Sequence, residues 1–246
     1  MAHLETVTIT GADDSVRPVD LVEISVEFPF VEWGILVSGK RYCEPRFPSM
    51  PWLWELARFR DAARVQRSMH LCGSYMRGLL VGEDKLDAAA HALLEFCRRV
   101  QLNFHGESQV WRAGDMAGLL NSDPWWTKFV ICQFDGHDGR RILEALRDEG
   151  LYAVFPLFDV SHGAGVLPEK WPEAIYLDYR DHHSLHGYAG GLGPDNLDRE
   201  IPRILEAAKN APVWIDMETR VRSPDGHFDI ETVKRCLQVC GQYIDA

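Results

Sequence analysis

The sequence predicts a single (β/α)8 barrel. Strand-like apolar runs alternate with amphipathic helical stretches across short turns, the pattern of successive βα units. The chain has 246 residues, 46% of them hydrophobic, a usual length for one such barrel and enough apolar material for its core. Near its end, Gly187-Tyr188-Ala189-Gly190-Gly191-Leu192-Gly193-Pro194-Asp195-Asn196 runs from a strand end through a glycine pair into a helical stretch. Glycines there let backbone N–H groups approach an anion, and the helix start adds the positive end of its dipole. The bland alternative is a plain strand-to-helix turn.

In chain order, strands are expected at Thr6–Thr10, Gly34–Ser38, Ser68–Cys72, Arg99–Phe104, Lys128–Phe134, Ala153–Phe158, Gly187–Ala189 and Val213–Met217. Between the first two, Val22, Ile24, Val26 and Phe28 alternate with Glu23, Ser25 and Glu27, a strand-like period. A barrel needs a helix there. Asp13, Asp14 and Ser15 offer an N-terminal cap, Pro18 suits a first turn and Pro29 a stop, so helix is preferred. Asp84–Cys97 is helical with an apolar face at Leu86, Ala90, Leu93 and Leu94. Asp138–Glu149 follows the same pattern at Ile142, Leu143 and Leu146. Leu197–Lys209 is the next helix, and Ile230–Tyr243, with Val233, Leu237 and Cys240 on one face, is the last. No repeat, linker or low-complexity tract interrupts the series, so one domain is expected over residues 1–246.

The formal net charge is −11, which gives no support to a polyanionic partner such as DNA or RNA. A small anion remains compatible, because a local nest of N–H groups does not depend on net charge. Met1 to Gly11 lacks a basic and then apolar leader pattern, and no run approaches the ~18 apolar residues of a membrane span. A cytoplasmic protein with no membrane partner is expected. The six cysteines include no CxxC pair, and reduced thiols are expected.

Several segments resemble the phosphoribosylanthranilate isomerase family. Tyr188 to Asn196 is close to that family's (S/A)GGLxPxN run. Val100-Gln101-Leu102-Asn103-Phe104-His105-Gly106-Glu107 is similar to its VQLHG strand, with two extra residues. Leu157 to Gly165 matches a strand that ends in Asp and leads to a GxG loop, and Arg46-Phe47-Pro48-Ser49 resembles R-Y-x-S after the second strand. Ile215-Asp216 and Asp225-Gly226 fall where the last strand and its loop belong. The resemblance implies a TIM barrel of the ribulose-phosphate-binding type that performs an aldose–ketose (Amadori) rearrangement on a phosphorylated aminosugar or related sugar phosphate, without a cofactor or metal. It implies substrate contacts at Arg46, His105, Gly163, Gly165, Gly190, Gly191, Gly193, Glu218, Thr219 and Arg220. Arg46 would hold a substrate carboxylate; its plainer role is a surface salt bridge.

Two departures bear on the chemistry. Thr10 stands where the family's general base is a Cys, and an alkyl hydroxyl is far too weak an acid to serve unaided. On the last strand, Asp216-Met217-Glu218-Thr219-Arg220 replaces D-V-(S/N)-S-G, so Glu218 would repel a phosphate and Arg220 attract one. Asp159, ending an apolar strand, suits the general acid; its alternative is a helix N-cap. His70 and Cys72, two apart on a strand, offer another base, since a Cys beside a His can ionise. They read equally as core residues. Asp13 is a further base candidate.

Other readings stay open. His70, His105, Asp135, Asp159, Asp216 and Glu218 fall near strand ends, where barrel hydrolases gather metal ligands, although no HxH or HExxH pattern is present. His182, His183 and His186 read as solvated surface, and Trp52, Trp54, Trp125 and Trp126 as packing. A sugar-phosphate isomerase, a metal-dependent hydrolase and an inactive ligand-binding barrel are therefore all compatible with the sequence, which does not assign an oligomeric state.

Overall fold

The alternating stretch after the first strand folds as a helix, α1 (Pro18–Glu27). Its buried residues are Pro18, Leu21, Ile24 and Ser25, a helical stripe, while Val26 is 57% exposed. Packing against the second strand overrides the period-2 pattern: Ser25 Oγ accepts the indole N–H of Trp33 at 2.9 Å. The N-cap is Arg17 with Asp20 closing the box, not the acids at 13 and 14. Pro18 does occupy the first turn, and the helix ends before Pro29.

The computed structural model describes residues 2–59, 65–103, 111–134, 137–159, 161, 164–175, 185–209 and 211–244. Its strands are β1 (Leu4–Thr10), β2 (Val31–Val37), β3 (Gln66–Leu71), β4 (Arg99–Leu102), β5 (Phe129–Phe134), β6 (Val154–Asp159), β7 (His186–Ala189) and β8 (Val213–Met217). Each pairs in parallel with the next, and β8 pairs with β1, closing an eight-stranded barrel. The helices are α1, α2 (Met50–Ala57), α3 (Gly73–Leu79), α4 (Ala88–Phe96), α5 (Ala113–Leu120), α6 (His137–Asp148), α7 (Leu197–Ala208) and α8 (Ile230–Cys240). Asp87 caps α4 through the N–H groups of Ala89 and Ala90, and Asp229 caps α8 through those of Glu231 and Thr232.

Strand β8 has the predicted bounds, whereas β2 begins at Val31, ahead of the predicted Gly34. The earlier start contains Glu32, whose charge argues against a buried strand until its partner is seen. Arg99 Nε donates to Glu32 Oε2 at 2.8 Å, joining β2 to β4 across the barrel interior. Thr8 on β1 donates to Glu32 and accepts from Arg99, both at 3.1 Å. The opposite wall is apolar: Ile131, Leu157, Ala189 and Trp214 form one cluster, with the Arg99 guanidinium 4.8 Å from the Trp214 ring. At the level of the Glu32–Arg99 pair the interior is thus polar on β1, β2 and β4 and apolar on β5–β8, while nearer the rim Gln133, Asp159 and Asp216 make β5, β6 and β8 polar. Outside the barrel, residues such as Ile9, Trp33 and Ile35 pack under the helices in the main core.

All six cysteines are free thiols. Among the described residues, no helix is long and apolar enough to cross a membrane. His186, expected on the surface, is buried on β7 with Nε2 2.8 Å from the Ile175 carbonyl oxygen. His182 and His183 lie outside the described residues. Trp52 and Trp125 are packed as expected, but Trp54 and Trp126 are 48% and 64% exposed.

Candidate active site

Parallel strands bring all their C-terminal ends to one rim, so sequence-distant residues meet there. Thr10, Cys72, Asp159, Gly190 and Glu218 share that rim at the ends of β1, β3, β6, β7 and β8, as the sequence predicts. His105, Gly163 and Asp135 lie outside the described residues. A cavity of about 30 Å³ opens between β6, β7 and β8, lined by Asp159, Ser161, Gly190, Gly191, Asp216 and Arg220, among others. That is room for two or three waters, or for the compact head of an anion.

Asp216 is the residue that sequence reasoning undervalued. It was legible as a strand marker and a metal candidate, and its signal is an acid two residues from Glu218 at a strand end. The carboxyl is buried, and Thr10 Oγ1 donates to its Oδ1 at 2.7 Å. Desolvation pushes its pKa up to about 7, and the charges of Glu218, Asp159 and Glu32 add to that against the Thr10 hydrogen bond. Asp159 is held differently. Gln133 Nε2 donates to its Oδ2 at 2.8 Å, and the Ser161 N–H and hydroxyl donate to Oδ1 at 2.9 and 2.8 Å. Two equally buried carboxyls on one cavity therefore differ in their donors: among the described residues Asp216 accepts one side-chain hydrogen bond and Asp159 accepts three hydrogen bonds.

The other base candidates do not hold up. His70 is buried with its pKa lowered to about 3, first by desolvation and then by the charge of Arg99, so it stays neutral. Its Nε2 lies 2.9 Å from Ser68 Oγ. Burial pushes the Cys72 thiol up to about 12, and its sulfur packs with Leu36 and Phe47 while Asn103 Nδ2 approaches to 3.4 Å. The pair shares a face, as predicted, but neither member is a base at neutral pH. Asp13 is a strut. Burial would raise its carboxyl, and hydrogen bonds from Ser15, Arg222 and the Arg46 N–H outweigh that and hold it below the ordinary range. Its Oδ2 receives Arg222 Nη2 at 2.6 Å and Arg46 N at 2.7 Å.

The glycine-rich turn is only partly the expected nest. The N–H of Gly193 is taken by Asn196 Oδ1 at 3.0 Å, so Gly193 is removed from the donor set. The N–H groups of Gly191 and Leu192 make no hydrogen bond to any described residue. Gly191 has φ +64, and a Cβ on it would lie 2.6 Å from Leu167 N, so glycine is required where the 165–167 backbone passes. Gly193 packs under the Arg220 stem, Gly165 packs on Thr219, and a Cβ at Gly190 would lie 3.5 Å from Asp159 Oδ1. Arg220 is exposed and makes no ion pair with a described residue; its Nη1 is 3.5 Å from the Gly191 carbonyl oxygen. Arg46 and Glu218, predicted as separate substrate contacts, are bonded to each other, Nη1 to Oε1 at 2.6 Å. That pairing offsets part of the Glu218 charge beside the cavity. Among the described residues, no three His, Cys, Asp or Glu side chains form a metal-ligand group.

The fold is that of known barrel enzymes. Phosphoribosyl anthranilate isomerase from Thermotoga maritima matches with a TM-score of 0.54 and 16% identity, covering 98% of this chain and 100% of that one. A DAHP synthase from the same organism matches with a TM-score of 0.55 and 12% identity, over 98% of this chain and 68% of that one. A truncated 3-deoxy-D-arabino-heptulosonate 7-phosphate synthase, also from Thermotoga maritima, has a TM-score of 0.52 at 12% identity, over 97% and 86%. At these identities the likeness establishes the (β/α)8 fold alone. No protein-family model and no curated protein sequence matches the chain.

Proposed function

We propose that the protein is an aldose–ketose isomerase acting on a small phosphorylated sugar or aminosugar. The observation that carries this reading is the Asp159–Asp216 pair on one cavity whose far wall is Gly191, Leu192 and Arg220. An isomerase of this class needs one group to give a proton to oxygen and another to take a proton from carbon. The sequence assigns the acid to Asp159; the hydrogen bonds favour the reverse. Asp216 keeps its proton into the neutral range and serves as acid, whereas Asp159, already receiving three donors, serves as the accepting carboxylate.

In this scheme the phosphate rests on the two N–H groups and Arg220. Asp216 protonates the ring oxygen, the C1–O bond breaks, and Asp159 removes the C2 proton as a C1–C2 double bond forms. Return of a proton to C1 and loss of the hydroxyl proton at C2 give the ketose, and both carboxyls are restored. Thr10 holds Asp216 in place and is not itself the base.

The test follows proton exchange in deuterated solvent. Wild type given a phosphorylated aldose or phosphoribosylanthranilate should incorporate solvent deuterium and form ketose, and Asp159→Asn and Asp216→Asn should each lose both. Tight binding of the sugar phosphate with no exchange would replace this reading by the ligand-binding barrel, which the Arg46–Glu218 pairing favours by occupying the residue expected to anchor substrate.

A further inference from the structure

The face of a (β/α)8 barrel opposite its catalytic rim ordinarily serves stability, and side chains fill it. Here it holds the larger cavity, about 210 Å³, against about 30 Å³ at the rim. Its lining comes from the N-terminal ends of the strands: Glu5 and Thr6 on β1, Glu32 on β2, Gln66 on β3, Arg98 and Arg99 at β4, and Phe129 and Phe155 on β5 and β6.

The lining has a definite chemistry. Phe129 and Phe155 meet edge to face at 5.7 Å and make an aromatic wall, continued by Leu185. The Arg98 guanidinium lies 5.0 Å from the Phe129 ring and makes no ion pair with any described residue. Arg99 is deeply buried; its Nε and Nη2 are used by Glu32 and Thr8, while Nη1 has no hydrogen-bond partner among the described residues. Glu32 balances Arg99 and the cavity's other acid, Glu5, meets His3 Nε2 at 3.2 Å, so Arg98 is the lining arginine that makes no ion pair with a described residue. A dry cavity of roughly 150 Å³ accepts a benzene-sized molecule, so 210 Å³ has room for a ring and one small substituent.

We propose that this N-terminal cavity is a binding site for a small aromatic carboxylate, its ring against Phe129 and Phe155 and its carboxylate on Arg98. A guanidinium fork matches a carboxylate, and a phosphate would leave the aromatic wall unused. The site is separate from the catalytic rim and does not depend on the isomerase reading.

Benzoate is the probe, titrated into the full chain by calorimetry with benzamide as the uncharged counterpart. Binding with Kd on the order of 1 mM or tighter is expected, and benzamide should bind at least tenfold more weakly. Arg98→Gln, a surface change that spares the buried Arg99–Glu32 pair, should weaken benzoate about tenfold with the thermal midpoint unchanged. Leu185→Trp should abolish binding by filling the space, whereas Arg220→Gln, at the opposite face, should leave benzoate affinity as it is. No benzoate binding, equal affinity for benzamide, or sensitivity to Arg220→Gln in place of Arg98→Gln would each overturn the proposal.

Discussion

Thr10 on β1 and Asp216 on β8 close the barrel seam with a side-chain hydrogen bond, Oγ1 to Oδ1 at 2.7 Å. The residue standing in for a catalytic thiol thus becomes the support of a carboxyl that can exchange a proton near neutral pH. Among the described residues, that bond is the interaction that holds the Asp216 pKa down against desolvation and the carboxylates of Glu218, Asp159 and Glu32.

Thr10→Val keeps the shape and removes the donor. Asp216 should then release its proton at higher pH. With Asp216 as acid, kcat/KM falls as pH rises past about 7, and in Thr10→Val that fall should move to higher pH. A pH–rate profile checks both statements. An unmoved limb would separate Thr10 from the proton donor, and a limb that rises through pH 7 would make Asp216 the base.

Stability should carry two opposing titrations. Asp216 is raised from 3.8 to about 7, so the folded state holds that proton while the unfolded state loses it. Its contribution is full below about 4 and is lost as pH rises toward 7, at most roughly 4 kcal/mol. His70 is lowered from 6.5 to about 3, so its neutral form favours folding above 6.5 and that contribution is lost as pH falls toward 3. The slopes oppose each other between about pH 4 and 6.5. Thermal midpoints in that window should fall with acid in Asp216→Asn and rise with acid in His70→Gln. Parallel curves for both variants and wild type would refute this account.

The anion site separates charge from backbone shape. Arg220→Gln should weaken sugar-phosphate binding about tenfold and leave the melting temperature unchanged, since among the described residues the guanidinium makes a single long hydrogen bond. Gly191→Val should lose binding as well, and it should also cost stability, because its Cβ would strike the backbone at Leu167 and its φ is positive. Calorimetry and thermal melts on the two variants distinguish these effects.

The buried pair across the barrel makes its own prediction. Glu32→Gln leaves the Arg99 charge uncompensated in the interior and should cost about 3–5 kcal/mol in denaturant unfolding. Glu32→Leu combined with Arg99→Met should recover most of that loss, because two apolar groups need no partner. Equal losses in the single and double variants would count against it.

The sequence by itself determined the barrel. Alternating periodicities, a strand end running into the Gly190-Gly191 pair, and a 246-residue length place Thr10, Asp159 and Glu218 on one rim, because parallel strands put their C-terminal ends on the same side. These signals are local, and local propensity is written in neighbouring residues. What the sequence could not decide depends on contacts between distant ones. The helix at Pro18–Glu27, preferred from its capping and proline signals against a strand-like period, is held by the Ser25–Trp33 contact and the face it buries. Arg46 was paired with Glu218 from 172 residues away, Gly193 lost its donor to Asn196, and Cys72 and His70 were silenced by burial. Asp216 acquired its proton affinity only when β8 closed on β1 and water left its carboxyl. Desolvation and charge proximity are properties of the folded interior, so tertiary structure alone decided which of the legible acids could do chemistry.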